Sequence, residues 1–461
     1  MFFQTLKMCN KKMKRKIYNQ LLDWKNNRHG EVALLIEGAR RIGKSYIVEE
    51  FAKNEYTSYI LIDFNKVNNS VKRLFDDYMA DLDTFFEMLE QYFKVTLVPR
   101  QSVIIFDEVQ LYPRARAAIK YLVADGRFDY LETGSLVSIK NNVKNIVIPS
   151  EERTISMFPM DFEEFLWAMG NETLMPYLQK QFIEGKPLKD LHREAMDYFR
   201  RYLIVGGMPQ AVNTYVSSRN FEKVDTIKRD ILAIYRNDIR KYAGRLAMKV
   251  ESIFDDIPAQ LQKNERKFRL SNLKKEARMR DYEEAFMWLS DAQIINCGYN
   301  TTAPNIGLKL NMDRSTLKCY MADTGLLLSH AFDEKQVVSE ELYRKILLDK
   351  LEINAGMLIE NIVSQMLIAS GHKLYFYSNI DNNNADNRME IDFLIRKEHI
   401  TSRHNIIPIE VKSSAGYTIH SLNKCVRKFG EYITTPMVIH PADYKERNGI
   451  RYIPLYMTSF L

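Results

Sequence analysis

The first third of the chain alternates short apolar runs with longer segments that carry apolar residues every three or four positions. The runs have strand length and lie at 31–37 (EVALLIE), 59–65 (YILIDFN), 101–110 (QSVIIFDEVQ), 129–135 (DYLETGS) and 153–159 (RTISMFP). The segments between them have the spacing of amphipathic helices. Strands that alternate with helices in this way predict an α/β domain built on a parallel sheet.

From about residue 163 to residue 242 the pattern is almost entirely helical. It is interrupted by YLIVGGMPQ at 202–210, where Gly206, Gly207 and Pro209 predict a turn between two helices. We interpret the region as a helical lid beside the sheet, and its turn as structural in role.

Residues 250–322 combine three short helical patterns with two strand patterns, which is typical of a winged helix. The helical patterns are VESIFDDIPAQL, SNLKKEA and YEEAFMWLS, and the strand patterns are QIINC and KCYMA. The last third of the chain begins with an apolar helix at 354–371, which is followed by strands at 389–396 (MEIDFLIR) and 406–414 (IIPIEVKSS). These patterns predict a second α/β region after the winged-helix-like one.

The composition indicates a globular protein. The 461 residues are 46% hydrophobic, and 66 Lys and Arg residues against 59 Asp and Glu residues give a net charge of +7. This mild excess permits an anionic partner without requiring one. The four cysteines form no C-x-x-C pair, so we expect no zinc site and a reducing, cytoplasmic location. No apolar run has the length of a membrane span, so no membrane partner is expected.

The basic residues before the first predicted helix are not followed by the apolar core of a signal peptide. We interpret them as a solvated leader. They are Lys11, Lys12, Lys14, Arg15 and Lys16.

The stretch GARRIGKS at 38–45 has the form G-x-x-x-x-G-K-[ST] and lies between a predicted strand and a predicted helix. In that context the two glycines let backbone N–H groups converge on one anion, which the helix N-terminus also favours. We expect Lys44 to reach the β- and γ-phosphates of ATP, and the Ser45 hydroxyl to be a ligand of Mg²⁺. The residues expected to contact the nucleotide are Gly38, Ala39, Arg40, Arg41, Ile42, Gly43, Lys44, Ser45 and Tyr46.

Two acids close the apolar run at 101–110. Asp107 is expected to hold Mg²⁺, and Glu108 to polarise the attacking water as a general base. Thr133, near the end of the run at 129–135, is a candidate to hydrogen-bond the γ-phosphate or that water; the alternative is a simple strand end before a glycine turn. Because the carboxyl ends of parallel strands share one edge of a sheet, these side chains should converge on the phosphate loop.

An arginine that stabilises the transition state is harder to assign. Arg114, Arg116, Arg127 and Arg153 are candidates, although a surface charge is the more common role for each. An arginine supplied by a second copy would require a homo-oligomer.

The last third carries a second set of acids. On the strand at 389–396, Asp392 lies on the face opposite the apolar residues, and Glu410 and Lys412 share the corresponding face of the next strand. Glu360 on the preceding helix completes the D…E-x-K pattern of restriction-type nucleases. Two carboxylates can hold Mg²⁺ against a phosphodiester, with the lysine orienting water. The alternative is the same fold without cleavage.

Eight basic residues and only a few acids lie among the helices of the winged-helix-like region. They are Lys263, Arg266, Lys267, Arg269, Lys274, Lys275, Arg278 and Arg280. Such a cluster can neutralise the phosphates of double-stranded DNA. A solvated surface or a protein contact is the alternative.

The chain resembles a widespread prokaryotic AAA+-type ATPase family, often described as archaeal-type ATPases. Its members join a phosphate-loop domain to a C-terminal domain of unknown function with a PD-(D/E)XK nuclease-like fold. The landmarks are GARRIGKS, IIFDEVQ, ETGS, MDFEEFLWA, YLIVGGMPQ, KCYMADTGLL, GMLIEN, MEIDF and IPIEVKSS, so the resemblance covers nearly the whole chain. It implies ATP, Mg²⁺ and the residue roles given above. One departure is PSEERT at 149–154, where many relatives have Leu-x-Gly-Arg, which puts Arg153 in doubt as an arginine finger.

We therefore expect an α/β protein with four domains: a P-loop AAA+ ATPase core at 1–165, a helical lid at 166–245, a winged-helix-like domain at 246–330 and a restriction-endonuclease-like PD-(D/E)XK domain at 331–461. The expected activity is ATP hydrolysis, with a DNA-associated C-terminal module. Two alternatives stay open. One is a Mg²⁺-dependent DNA endonuclease gated by ATP, and the other is a nucleotide-controlled signalling switch that binds a protein partner.

Overall fold

The structure is a computed structural model that describes residues 13–28, 30–134, 149–263, 267–305, 307–332, 339–347, 355–379, 381, 384, 387–397, 402–414 and 416–461. It confirms the predicted α/β class, with one parallel and one mixed sheet. Within these ranges, no helix is both long enough and apolar enough to cross a lipid bilayer.

The first sheet contains all five predicted strands, each parallel to its neighbours, in the order β2-β3-β4-β1-β5. The strands are β1 Ala33–Gly38, β2 Ser58–Asp63, β3 Ser102–Asp107, β4 Asp129–Gly134 and β5 Glu152–Met157. The associated helices are α1 Ile17–Arg28, α2 Lys44–Glu55, α3 Asn69–Asp77, α4 Leu82–Phe93 and α5 Pro113–Asp125. Every residue of β3 and β4 is buried, because helices cover both faces of the sheet, which explains their unbroken apolar runs.

A helical region follows, as predicted. Its helices are α6 Phe162–Met169, α7 Leu174–Glu184, α8 Asp190–Val205, α9 Pro209–Ser218 and α10 Phe221–Tyr242. The first of them begins with a capping box, in which the Asp161 side chain accepts from the Glu164 N–H and Glu164 accepts from the Asp161 N–H.

The rest of the chain builds an eight-stranded mixed sheet in the order β12-β13-β11-β10-β9-β8-β6-β7. Its strands are β6 Ile295–Thr301, β7 Met312–Met321, β8 Tyr375–Asn379, β9 Met389–Arg396, β10 Ile406–Val411, β11 Met437–His440, β12 Lys445–Arg447 and β13 Ile450–Pro454. The helices are α11 Ala247–Leu261, α12 Met279–Asp291, α13 Thr324–Ala331, α14 Glu340–Leu347, α15 Ala355–Ala369 and α16 His420–Phe429.

The structure contains some, but not all, of the elements predicted for the winged-helix-like region. The segments α11 and α12 form as predicted, and β6 and β7 pair as an antiparallel hairpin. The predicted helix SNLKKEA does not form, because none of its residues is buried against a neighbouring element, and the chain makes only a 3₁₀ turn at Leu270–Asn272. The domain boundary placed at residue 330 stays a prediction, but β6 pairs in parallel with β8, so strands on both sides of that boundary share one sheet.

The turn between α8 and α9 holds three parts of the chain together. The Asp323 carboxylate, which caps α13, accepts hydrogen bonds from the N–H of Gly207 at 2.6 Å and of Leu326 at 2.9 Å. Met160, just before α6, donates its N–H to the carbonyl of Gly207 at 2.7 Å. A Cβ atom at Gly207 would lie 2.1 Å from the Met160 carbonyl oxygen, so the glycine is required by this close backbone approach.

We expect Gly207→Ala to destabilise the protein by about 1–3 kcal/mol, because the added methyl group must push the backbone of Met160 away. A lower midpoint of thermal unfolding, followed by circular dichroism, would show this. Gly416→Ala is the matched control, since a Cβ atom there has no heavy atom within 4 Å. Equal midpoints of thermal unfolding for the two variants would show that the backbone around Gly207 accommodates the methyl group without loss of stability.

Candidate functional site

The loop between β1 and α2 has the backbone that its glycines allow. Gly43 has φ of 93° and Arg41 has φ of 71°, both left-handed. Gly43 caps α2 without a side-chain hydrogen bond, so the first N–H groups of the helix have no side-chain acceptor from their own cap. A Cβ atom at Gly38 would lie 2.5 Å from the carbonyl oxygen of Met157, so β5 leaves no space for a larger residue. The loop is therefore shaped as an anion site.

Lys44 lies inside this loop. Its Nζ donates to the carbonyl oxygens of Gly38 and Ala39, both at 2.9 Å, and the side chain is buried. Burial lowers the pKa of Lys44 to about 8, and the negative charges of Glu108 and Asp107 oppose that shift. The lysine is thus a buried cation that, among the described residues, donates hydrogen bonds to backbone carbonyls, and it lies where an anion would stabilise its charge.

Three oxygen-bearing side chains meet at the carboxyl ends of β3 and β4, as the sequence predicts. The Ser45 hydroxyl donates to Asp107 Oδ1 at 2.7 Å, and the Thr133 hydroxyl donates to the same oxygen. Thr133 Oγ1 also accepts the N–H of Glu108 at 3.2 Å. A hydroxyl and a carboxylate are the hard oxygen ligands that Mg²⁺ prefers, so the side chains present fit that ion.

Glu108 occupies a left-handed position directly after β3, with φ of 56°, and its carboxylate accepts a hydrogen bond from the Gln110 side chain. Asp63 at the end of β2 stands opposite Asp107 in the sheet register and pairs with Lys66 at 2.9 Å. Sequence reasoning missed Asp63 and Gln110. The position of Asp63 at the end of the second predicted strand was the available signal.

A cavity of about 380 Å³ opens in front of these groups. Lys44, Ser45, Asp107 and Glu108 line one wall. The other wall belongs to α10, to α12 and to the residues directly after α12, and its residues are Tyr235, Asp238, Lys241, Tyr242, Trp288, Ala292 and Ile294. Helical spacing alone does not show which face of α10 or α12 points at the loop, so sequence reasoning missed this wall.

Helix α10 contacts the phosphate loop directly. Arg40 pairs with Asp238 of α10 at 2.5 Å, and the Tyr235 hydroxyl donates to the Arg40 carbonyl oxygen at 3.1 Å. Burial raises the pKa of Asp238, and the positive charge of Arg40 opposes that shift. Arg40 was expected to contact the nucleotide, and it also links the loop to the lid.

The four candidate arginines lie elsewhere. Arg116 forms a buried pair with Glu152 at 2.6 Å, and Arg153 is exposed on the edge strand β5. The other two make ion pairs, Arg114 with Asp76, and Arg127 with Asp83 and Asp125. None of the four lines the cavity, whose wall instead carries Arg40, Lys66 and Lys241 beside Lys44.

The interpretation of the basic amino-terminal residues as a solvated leader is wrong for Arg15. Its side chain is 7% exposed and donates to the carbonyl oxygen of Ile42 in the phosphate loop at 2.8 Å and to that of Phe158 at 2.6 Å. It also pairs with Glu164 at 3.1 Å. A charge run in sequence does not reveal that one member is buried among carbonyl acceptors. Lys11 and Lys12 lie outside the described residues.

The second acidic set comes together as the strand pattern predicts. Strands β9 and β10 pair antiparallel, and the Asp392 carboxylate accepts the N–H of Val411 at 2.8 Å. Lys412 donates to Glu410 at 2.6 Å. Burial raises the pKa of Glu410, and Lys412 opposes the shift.

Sequence reasoning missed one residue beside this set. The Nζ of Lys318 on β7 lies 3.2 Å from Glu360, 3.0 Å from Glu390 and 3.6 Å from Asp392. Across the described residues, no group of three or more His, Cys, Asp and Glu side chains is arranged to hold a metal ion. The assignment of Glu360, Asp392, Glu410 and Lys412 as a metal site stays a prediction.

Together, the parallel sheet, the left-handed glycine loop and the convergence of Ser45 with Asp107 define a phosphate-binding loop of the P-loop class. Comparison with protein families agrees: residues 31–166 match the family described as AAA domain. That match contains the phosphate loop, Asp107, Glu108 and Thr133. The amino-terminal part of the chain is thus similar to AAA domains, which supports an ATP-binding ATPase.

Two further matches cover other parts of the chain. Residues 196–336 match a domain of unknown function (DUF8612), and residues 355–458 match another (DUF4143). No curated protein matches the chain. Among solved structures, the Walker-type ATPase PABY2304 of Pyrococcus abyssi is similar at 15% sequence identity and a TM-score of 0.38, over 69% of this chain and 96% of that one.

The lowered pKa of Lys44 predicts how nucleotide affinity depends on pH. Below about pH 8 the free protein already carries the ammonium, whereas above it binding of an anionic nucleotide must take up a proton to restore the charge. We expect affinity for an ATP analogue to be nearly constant from about pH 7 to pH 8, and to fall by up to about tenfold per pH unit above that.

Titration calorimetry with a non-hydrolysable ATP analogue and Mg²⁺ measures this directly. Heats in two buffers of different ionisation enthalpy should give uptake of nearly one proton at about pH 9 and almost none at about pH 7. Equal proton uptake at the two pH values would remove Lys44 as the titrating group.

Proposed function

We propose that this protein hydrolyses ATP at the loop 38–45, with Mg²⁺ as cofactor. The observation that carries the proposal is the gathering of Ser45, Asp107, Thr133 and Glu108 at one sheet edge, where Ser45, Asp107 and Glu108 line one cavity wall together with the buried cation Lys44. An anion site, a set of hard oxygen ligands and a carboxylate that lines the cavity are the parts that phosphoryl transfer to water requires.

Each of these residues has a distinct role in the proposed reaction. The N–H groups at the start of α2 and the Lys44 ammonium bind the β- and γ-phosphates, and Ser45 and Asp107 would hold Mg²⁺, which neutralises phosphate charge when bound. Glu108 accepts hydrogen bonds from the attacking water and orients it. Thr133 fixes the carboxylate of Asp107 and the backbone of Glu108, so it positions both acids.

The general-base role can be separated from nucleotide binding. Lys44→Ala should abolish ATP binding, because it removes the charge that faces the phosphates. Glu108→Gln should keep binding within a few-fold, yet lower turnover by at least about a hundredfold, since the amide cannot accept the proton. Fluorescent-nucleotide titration measures binding, and phosphate release measures turnover.

Glu87→Gln is the matched control, because Glu87 is an exposed glutamate on α4, away from the cavity. Its turnover should equal that of the wild type. If Glu108→Gln also turned over ATP at the wild-type rate, the general-base assignment would be wrong.

We further propose that double-stranded DNA contacts the segment that precedes α12. Lys274, Lys275 and Arg278 in this segment are exposed, as a phosphate-binding surface requires. The segment leads directly into α12, whose Trp288 lines the nucleotide cavity. The indole N–H of Trp288 is buried and, among the described residues, has no hydrogen-bond partner. Because the segment and α12 are consecutive in the chain, a shift of the segment on DNA binding would be transmitted through α12 to the ATP site.

This proposal predicts that DNA raises the ATPase rate, and that the triple variant Lys274→Ala, Lys275→Ala, Arg278→Ala loses the effect. If all three side chains contact phosphates, the slope of log affinity against log salt should fall by about 3. Fluorescence anisotropy of a labelled duplex at several salt concentrations measures the slope.

The matched control replaces three exposed basic residues on other helices, Arg73 of α3, Lys120 of α5 and Lys223 of α10, with alanine. It should bind DNA as the wild type does. ATP turnover that no DNA changes, combined with a stable protein complex in a pull-down, would instead favour the nucleotide-controlled switch that recruits a protein partner.

A further inference from the structure

Lys318 is a buried cation inside the nuclease-like acidic set. It lies on β7 with 1% of its surface exposed, and its ammonium is within 3.6 Å of carboxylate oxygens from three residues. Those residues come from α15 (Glu360) and β9 (Glu390 and Asp392). An ammonium has three N–H donors, so three carboxylates can satisfy it completely.

Further contacts hold the Lys318 ammonium in a defined position in the protein interior. The Tyr320 hydroxyl donates to Glu360 Oε1 at 2.5 Å, the same oxygen that lies 3.2 Å from Lys318. The ring of Phe376 lies 5.2 Å from the ammonium, within cation–π range. A buried ammonium persists only when charge partners and hydrogen bonds offset its desolvation, and both are present here.

The carboxylates that would hold Mg²⁺ are engaged by these contacts. Asp392 Oδ1 faces Lys318, while Asp392 Oδ2 accepts the Val411 N–H. Glu410 Oε1 accepts from Lys412, whereas Glu410 Oε2 is buried without a hydrogen-bond partner among the described residues. Mg²⁺ requires an octahedron of oxygens, and a fixed ammonium beside Asp392 and Glu360 would repel it. The residues present therefore do not fit the ion that the nuclease-like pattern implies.

We propose that Lys318 takes the place of the divalent metal: its ammonium neutralises Glu360, Glu390 and Asp392, and the C-terminal domain neither binds Mg²⁺ at this set nor cleaves a phosphodiester. The acidic set then serves as an internal ionic link that joins β7, β9 and α15. Under this proposal the C-terminal domain supports binding or assembly, and the acidic set adds no phosphodiester cleavage to the proposed ATP hydrolysis.

Mn²⁺ is the probe for the test, because its spin resonance signal separates free from bound ion. The measurements use the full chain without nucleotide and with Asp107→Asn, which removes the candidate ligand at the ATP site. The Asp107→Asn protein should bind no Mn²⁺ when the ion is present at millimolar concentration, so the full signal of free Mn²⁺ should be seen. Adding Lys318→Met, which keeps the apolar stem and removes the charge, should create one Mn²⁺ site. The affinity of this site should be at least tenfold higher than any Mn²⁺ affinity of the protein that retains Lys318. Adding Asp392→Asn as well should abolish the new site.

Lys228→Met is the matched control, since Lys228 is also fully buried and donates to a backbone carbonyl on another helix. It should create no Mn²⁺ site. Mn²⁺ binding before Lys318 is changed, if lost with Asp392→Asn, would overturn the proposal. So would a folded Lys318→Met protein that binds no Mn²⁺, because the ammonium would then not be what excludes the ion.

A second measurement needs no change at Lys318. Wild-type protein incubated with supercoiled plasmid, Mn²⁺ and ATP should leave the plasmid intact while phosphate release shows that the ATPase is active. Plasmid cleavage that Glu410→Ala abolishes would overturn the proposal. Because ATP turnover is read in the same tube, failure of this proposal is distinguishable from failure of the proposed ATPase.

Discussion

The arrangement of the site depends on one electrostatic constraint: the ammonium of Lys44 is buried inside a loop of backbone carbonyls, beside a cavity in which a bound anion would stabilise its charge. Two arginine side chains, those of Arg15 and Arg40, hold the loop in its left-handed conformation. Arg15 donates to the loop from behind, through Ile42. Arg40 ties it to the lid through Asp238. Residues that are far apart in sequence therefore support one small anion site.

The cavity is shared by parts of the chain that the sequence separates. Its phosphate side belongs to the parallel sheet, whereas its opposite side belongs to α10 and to α12. The apolar core has the same continuity, because a single cluster of buried residues runs from α1 through the lid to the last residues of the chain. A second cluster lies under α3, α4 and α5 on the other face of the sheet. Side chains of α10 and of α12 thus border the same cavity as the phosphate loop, so a ligand that filled this cavity would contact both helices directly.

Much of this could be predicted from the sequence because period and edge position are local signals. The five strands of the first sheet and the convergence of Ser45, Asp107 and Thr133 follow from apolar runs that end in polar residues at the same edge. The pairing of Asp392 with the strand of Glu410 follows from alternation. What could not be predicted depends on contacts between distant segments. Arg15 and Lys318 look like surface cations in sequence, and only the fold shows the acceptors that surround them.

The parallel pairing of β6 with β8 has a mechanical consequence. Helix α12 carries Trp288 into the nucleotide cavity and is joined to β6 by a short connection, and β6 is hydrogen-bonded into the eight-stranded sheet. A hinge motion of α12 with β6 and β7 alone would have to break the β6–β8 ladder. A displacement of Trp288 that carried α12 and β6 with it would therefore move the neighbouring strands of the eight-stranded sheet as well.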